Sequence, residues 1–234
     1  MSLISDNLQV VRADLSACAD KFGRDPKEIS LLAVSKTFPA GAVLEAARNG
    51  QVCFGENYLQ EAIEKMQELQ RLAPELQLEW HFIGPIQSNK TRQIAENFSW
   101  VHAVDREKIA QRLSDQRPSE LPAINICLQV NISAEQSKSG VEPAQVLPLA
   151  RAVAAMPGLR LRGLMAVPEA SDDEATQRAA FAQLRKLQEN LLEQGVPVDT
   201  LSMGMSGDMH AAIAEGSTML RIGSAIFGKR TYAE

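Results

Sequence analysis

Lys36 closes the apolar run Ile29-Ser30-Leu31-Leu32-Ala33-Val34-Ser35-Lys36, and two small-residue stretches, Ser202-Met203-Gly204-Met205-Ser206 and Arg221-Ile222-Gly223-Ser224, stand near the other end of the chain. Together they suit the capture of a phosphorylated aldehyde. Burial disfavours an ammonium ion, so an amine at the end of a buried strand is drawn toward its neutral form, which adds to a carbonyl as a Schiff base. The other reading of Lys36 is a side chain that snorkels from the strand end to solvent. Ser206 stands ahead of a helical pattern over 208–215, closed by Gly216 as a left-handed stop, and its hydroxyl is expected to cap that helix. The same place can receive a phosphate, because N–H groups there point outward. Gly223 and Ser224 would add donors, the glycine allowing close approach. Asp208, in the first turn, would repel a dianion unless its carboxylate points outward, and that is the expectation. Arg221 has three readings: a phosphate partner, a neighbour of a pyridine nitrogen, or a structural ion pair. A guanidinium at a ring nitrogen discourages protonation there and makes the ring a poorer electron sink.

These residues need elements to hold them, and the chain supplies an alternation. Short aliphatic runs read as strands at 29–35, 52–55, 79–83, 100–104, 124–131, 159–167, 200–203 and 219–223. Helical patterns fall between them at 40–49, 58–71, 88–97, 106–115, 143–155, 172–194 and 208–215. The one at 172–194 carries an apolar stripe of Phe181, Leu184, Leu187 and Leu191. Strand–helix alternation favours a parallel sheet covered by helices. Roughly 26 residues per unit suits a single (β/α)8 TIM barrel, with an open doubly wound sheet as the alternative. No Gly-x-Gly-x-x-Gly follows the first strand, which weakens the dinucleotide-binding form of that alternative. An extra N-terminal helix within 1–24 precedes the barrel, with Leu3, Val10, Val11, Leu15, Cys18 and Phe22 near one stripe. No linker divides the chain, so 1–234 is expected to be one domain. A barrel gathers the carboxyl ends of its strands at one mouth, where Lys36, Asn57, Lys90, Asn131, Lys138 and Met165 join the two small-residue stretches.

Composition narrows the function classes. With 234 residues, 45% of them hydrophobic, the chain can bury a substantial core, and a net charge of −5 argues against a general nucleic-acid binder. Cys18, Cys53 and Cys127 show neither paired spacing nor a Cys-x-x-Cys motif, so reduced core thiols are the expected state. No leader pattern or membrane-length apolar segment is present, and a soluble cytoplasmic protein is expected. His81 and His102 read as core or barrel-rim histidines bonded to backbone. Lys90 and Lys138 read as solvated loop charges, with attraction of an incoming phosphate as the alternative.

The motifs carry a resemblance. Ala33-Val34-Ser35-Lys36-Thr37, Phe54-Gly55-Glu56-Asn57-Tyr58, Trp80 through Lys90, Ser137-Lys138-Ser139-Gly140, Arg162-Gly163-Leu164-Met165, Leu201 through Ser206 and Gly216 through Ser224 together resemble the pyridoxal phosphate homeostasis protein family, almost end to end and in order. That family is similar to the barrel domain of alanine racemase, a fold type III arrangement that binds pyridoxal 5′-phosphate (PLP). The resemblance implies that Lys36 forms the Schiff base, Arg221 faces the pyridine nitrogen, Ser206, Gly223 and Ser224 hold the phosphate, and Asn57 and Met203 line the ring pocket. Gly207 and His210 depart from the family pattern. Alanine racemase also uses a tyrosine base from a second domain, whereas the sequence ends at Glu234, and neither Tyr58 nor Tyr232 is an obvious replacement. Loss of such a base costs typically 10²–10⁴-fold in rate, so a binding and homeostasis role without robust catalysis is expected. Apo PLP-dependent enzymes would be its partners, and the chain is expected to be a monomer. The competing readings are a PLP-dependent amino-acid racemase or weak lyase, and a cofactor-free aldolase that attacks a phosphorylated sugar through Lys36.

Overall fold

A computed structural model describes residues 3–133 and 139–228. Eight parallel strands close into a barrel in sequence order: β1 (Ser30–Val34), β2 (Cys53–Glu56), β3 (Glu79–Phe82), β4 (Trp100–Val104), β5 (Ile124–Gln129), β6 (Leu159–Met165), β7 (Thr200–Ser202) and β8 (Met219–Ile222). The seam is the pairing of β1 with β8, in register from Ser30 opposite Met219 to Ala33 opposite Ile222. Around the barrel lie α2 (Ala40–Arg48), α3 (Leu59–Leu72), α4 (Thr91–Asn97), α5 (Glu107–Gln116), α6 (Val146–Ala154), α7 (Glu174–Glu193) and α8 (Met209–Ala214), preceded by α1 (Leu3–Lys21) and followed by α9 (Ser224–Phe227). The fold is therefore the (β/α)8 barrel that the alternation predicts. The four-residue α9 lies outside that prediction. The turns at Ser88–Lys90 and Pro143–Gln145 are 3₁₀ and lead into α4 and α6.

Each helix buries the stripe its sequence offers. In α7, Asp173 caps the first turn by accepting from the Thr176 N–H at 2.9 Å, and Phe181, Leu184 and Leu191 are buried while Leu187 packs against them partly covered. The stripe expected on α1 needs correction. Leu3 and Val10 are 70% and 67% exposed, and the buried face is Leu8, Val11, Leu15, Cys18 and Ala19. At 3.6 residues per turn Val10 lies on the far side of the helix from Leu8, whereas Val11, Leu15 and Cys18 belong to both the expected and the observed stripe.

Along the strands, alternate residues face out to the helices or in to the barrel axis. Phe82 faces outward onto Phe98, ring to ring at 5.2 Å, while its neighbour His81 faces inward. Barrel interiors usually hold layers of branched aliphatics. Here His81, His102, Ser202 and Arg221 form a buried polar belt.

Candidate functional site

At the carboxyl ends of the strands opens a cavity of about 400 Å³, lined by side chains or backbone that follow β1, β2, β3, β6, β7 and β8. Lys36, Asn57, Ser206, Arg221, Gly223 and Ser224 all line it, so most of the residues singled out in the sequence converge on one space. Met203 does not. It is completely buried, and Met165 and Met205 line the cavity in its place. The reason is strand parity: Ser202 faces the axis, so the next residue points to the helix layer.

Lys36 sits two residues beyond β1, half-buried. The backbone on both sides of it is fixed by a buried ion pair. Lys65 of α3 donates to the Ser35 carbonyl at 2.9 Å and contacts Glu56 Oε1 at 2.5 Å and Glu61 Oε1 at 3.0 Å. The Ser35 hydroxyl donates to Glu56 at 2.6 Å, and the Thr37 N–H donates to Glu61 at 2.6 Å. Thr37 has φ +68°, an uncommon conformation for a β-branched residue that these bonds hold in place. Burial pushes the Glu56 carboxyl upward, while Lys65 and Ser35 oppose that shift. Lys65 was not singled out from sequence, yet it stands on the buried stripe Ala62–Lys65–Leu69, where a lysine signals a buried partner.

Arg221 is 4% exposed and makes no direct contact with a carboxylate among the described residues. Its Nη1 donates to the Ser202 carbonyl at 2.5 Å and the Ser202 hydroxyl at 2.8 Å, and its Nη2 donates to the Ala166 carbonyl at 2.8 Å. These bonds use three of its five N–H groups, which leaves donors on a side chain that lines the cavity. Burial draws its pKa down to about 10, against the pull of Asp208, so it remains a cation at neutral pH. The structural ion-pair reading of Arg221 is thereby excluded in favour of a charge held by neutral acceptors.

From Ser202 the bonds continue across the barrel. Ser202 Oγ lies 2.9 Å from His102 Nδ1, His102 Nε2 lies 3.0 Å from His81 Nδ1, and His81 Nε2 lies 2.9 Å from Glu79 Oε1. The Glu79 carboxylate can only accept, so neutral His81 donates from Nε2 and accepts at Nδ1 from His102 Nε2. His102 Nδ1 then accepts from the Ser202 hydroxyl, whose oxygen accepts from Arg221. Both rings are fully buried, and burial lowers their pKa values, which keeps them neutral. The histidines are thus bonded to side chains and to each other, not to backbone as expected.

The loop after β7 also differs from expectation. Ser206 is exposed and does not cap α8; the N-cap position belongs to Asp208, which makes no side-chain cap bond. The Ser206 hydroxyl instead lies 3.4 Å from that of Ser224, pairing the two small-residue stretches across the cavity rim. Asp208 does not point away: its carboxylate turns back to accept the Met205 N–H at 2.5 Å, and burial raises its pKa. Gly204 makes this turn possible, since its φ is +97° and a Cβ there would come within 2.5 Å of Ala212.

Asn57 follows β2, and its Oδ1 is buried without a hydrogen-bond partner. Gly84 lets the loop after β3 pack directly on the Asn57 backbone, which a side chain would strike. Lys90 lies in that loop but does not line the cavity, and Tyr58 is 55% exposed. Lys138 and Tyr232 fall outside the described residues.

Comparison with known proteins agrees with this arrangement. The profile of the alanine racemase N-terminal domain matches residues 7–231. The pyridoxal phosphate homeostasis protein of Pseudomonas aeruginosa is 59% identical over 99% of this chain and 98% of its own, and that of Escherichia coli K12 is 53% identical over the full length of both. PipY of Synechococcus elongatus PCC7942, solved with PLP bound, is 36% identical with a TM-score of 0.84, covering 96% of this chain and all of PipY. Alanine racemase of Corynebacterium glutamicum shares the fold, with a TM-score of 0.70 at 19% identity over 96% of this chain and 59% of its own. The chain belongs to the pyridoxal phosphate homeostasis protein family, built on the barrel of the alanine racemase N-terminal domain.

Proposed function

We propose that this protein binds pyridoxal 5′-phosphate reversibly through Lys36 and takes part in intracellular PLP homeostasis, without robust catalysis of its own. The carrying observation is one cavity that joins a lysine on a braced backbone, a buried guanidinium held by neutral acceptors, an orphaned amide oxygen and a pair of rim serines. Its volume of about 400 Å³ is in the range of small-ligand sites.

The residues fit the cofactor. When bound, PLP supplies an aldehyde that links reversibly to an amine as a Schiff base. Lys36 provides that amine, and the Lys65 network sets the backbone from which it projects. Arg221 would face the ring nitrogen, where a fixed cation makes a second positive charge costly and would keep that atom unprotonated. Asn57 Oδ1 offers an acceptor to a ligand hydroxyl or N–H, and a buried acceptor left unpaired costs about 1–3 kcal/mol. Ser206 and Ser224 present hydroxyls 3.4 Å apart, and with Gly223 beside them they suit the oxygens of a phosphate. Met165 and Met205 give the ring its apolar walls.

The same cavity supports binding over turnover. Among the described residues lining it there is no His, Tyr, Cys, Asp or Glu to act as a second base opposite Lys36. A rim open at the barrel mouth gives water or a second amine access for release, which suits delivery to apo PLP-dependent enzymes. No described helix is long and apolar enough to cross a membrane, and the reading takes the protein to act in the cytoplasm as a monomer.

The decisive test is an absorption spectrum of the purified protein, then borohydride reduction and peptide mass mapping. We expect a yellow band that converts to a pyridoxyl adduct on Lys36, absent in Lys36→Ala, with no racemisation of alanine above that variant. A colourless protein that gains no band when given PLP would overturn the assignment in favour of a sugar-phosphate aldolase. Racemase turnover lost with Lys36 would overturn the non-catalytic part alone.

A further inference from the structure

The end of the barrel opposite the cavity holds a second cluster. Cys53 and Glu79 are register partners on β2 and β3, and His81 lies two residues beyond Glu79, so all three belong to one face near the amino-terminal ends of the strands. Glu79 Oε1 is 2.9 Å from His81 Nε2 and 3.5 Å from Cys53 Sγ, and the three ligating atoms lie within 4.8 Å of one another. We propose that Cys53, Glu79 and His81 bind one zinc-class divalent cation at the base of the barrel, leaving its fourth position to water.

The donor set selects the ion. A thiolate with an imidazole and one carboxylate suits zinc, whereas magnesium and calcium take oxygen ligands. Tetrahedral bonds of about 2.0–2.3 Å put ligand atoms about 3.3–3.6 Å apart, so small side-chain shifts complete the site. One thiolate and one carboxylate balance the charge of the cation. Arg162, which lies over the Trp100 ring at 4.7 Å, is already paired with Asp199 at 2.9 Å. Access is open, since the Glu79 side chain is 40% exposed and Cys53 is only partly covered.

The surroundings supply what metal ligands need around them. The Trp100 ring stacks on His81 at 5.2 Å with an interplanar angle of 7°. His81 has its other nitrogen on His102, so its ring orientation is fixed from behind. Without a cation the proton on His81 Nε2 points at Glu79. With a cation in its place, neutral His81 carries its proton on Nδ1 and donates to His102 Nε2. His102 then donates from Nδ1 to Ser202 Oγ, which has a second lone pair for Arg221. Both rings change tautomer with no change in their proton count. The one proton released to solvent comes from the Cys53 thiol as the sulfur–metal bond forms.

The test is a cobalt titration of the full-length protein, chelator-treated and kept reduced, read as difference spectra against the zinc-loaded sample. We expect a near-ultraviolet thiolate-to-cobalt band and tetrahedral visible bands that saturate at about one equivalent and vanish when zinc is added. Cys53→Ala should lose the charge-transfer band, and Glu79→Gln should weaken cobalt binding at least tenfold. Cys18→Ala and His210→Ala should keep the full spectrum. Zinc should raise the melting temperature of the parent protein and leave that of Cys53→Ala unmoved. No band at tenfold excess cobalt, or an unchanged band in Cys53→Ala, overturns the site. Should Cys53→Ala fail to fold, Glu79→Gln carries the decision, and undiminished affinity in that variant overturns it equally.

Discussion

Asn57 separates binding from stability more cleanly than any other residue lining the cavity. Its Oδ1 is desolvated and unbonded, so the folded protein gains nothing from that oxygen until a ligand donor meets it. Asn57→Ala should therefore leave the urea-unfolding stability of the ligand-free protein within about 1 kcal/mol of the parent, or raise it. PLP retention, followed by equilibrium dialysis, should fall about tenfold, the equivalent of about 1.4 kcal/mol. Loss of stability with unchanged retention would show that the amide serves the fold. At this scale Lys36, Arg221 and the serine and glycine positions were legible in sequence because a charged or small residue after an aliphatic run is conspicuous. Ser202 was not, since a serine ending a three-residue strand gives no sign that it joins Arg221 to His102 across 100 residues of chain.

Elements decide where those residues point, and α3 is the clearest case. It packs its stripe Ala62–Lys65–Leu69 inward, so that Lys65, 4% exposed, meets the fully buried Glu56 at the end of β2. Two buried charges persist because Lys65 neutralises Glu56 and bonds its Oε1, even though Oε2 is left without a partner. Removing one leaves the other desolvated, which costs about 3–5 kcal/mol. Lys65→Met should lose stability of that order in urea unfolding, and adding Glu56→Gln should recover part of it. The single variant should also weaken PLP retention, because the carbonyl of Ser35 loses its donor next to Lys36. Full stability in Lys65→Met would mean that water replaces the amine. The strands and most helices were legible because each is a run of consistent period. What failed were features set by loop conformation. Ser206 looked like a cap, but the turn Met205–Asp208 is closed by the Asp208 carboxylate and by the left-handed Gly204, and neither dihedral is written in local composition. Met203 was placed at the ring pocket by the family resemblance, and the three-residue β7 before it is too short an alternation for its full burial to be read from sequence.

At the scale of the molecule, α1 closes the ring of helices where the barrel itself closes. It packs on α2, α8 and α9, with Leu8 fully buried. Its polar contacts reach both ends of the sequence: the Ser5 hydroxyl meets Asn49 at 2.9 Å, and the Asn7 amide donates to the Ile226 carbonyl at 2.9 Å. Arg24, just beyond the helix, donates to the Ser217 carbonyl at 2.6 Å. A helix that ties the first βα unit to the last shares the barrel's core, so residues 1–234 should unfold as one cooperative domain. Helicity by circular dichroism and the fluorescence of Trp80 and Trp100, which sit on β3 and β4, should then report one midpoint. Leu8→Ala, which empties a buried site far along the chain from both tryptophans, should lower the two midpoints together, with a loss of about 2–5 kcal/mol in stability. A split into an early helical step and a later fluorescence step would mean that α1 detaches on its own. Coincidence would carry a functional consequence, because α9 begins at Ser224 on the cavity rim and α1 holds its backbone from behind. Asn7→Ala should then speed amide exchange across 224–227 and weaken PLP retention, although Asn7 is not among the residues that line the cavity.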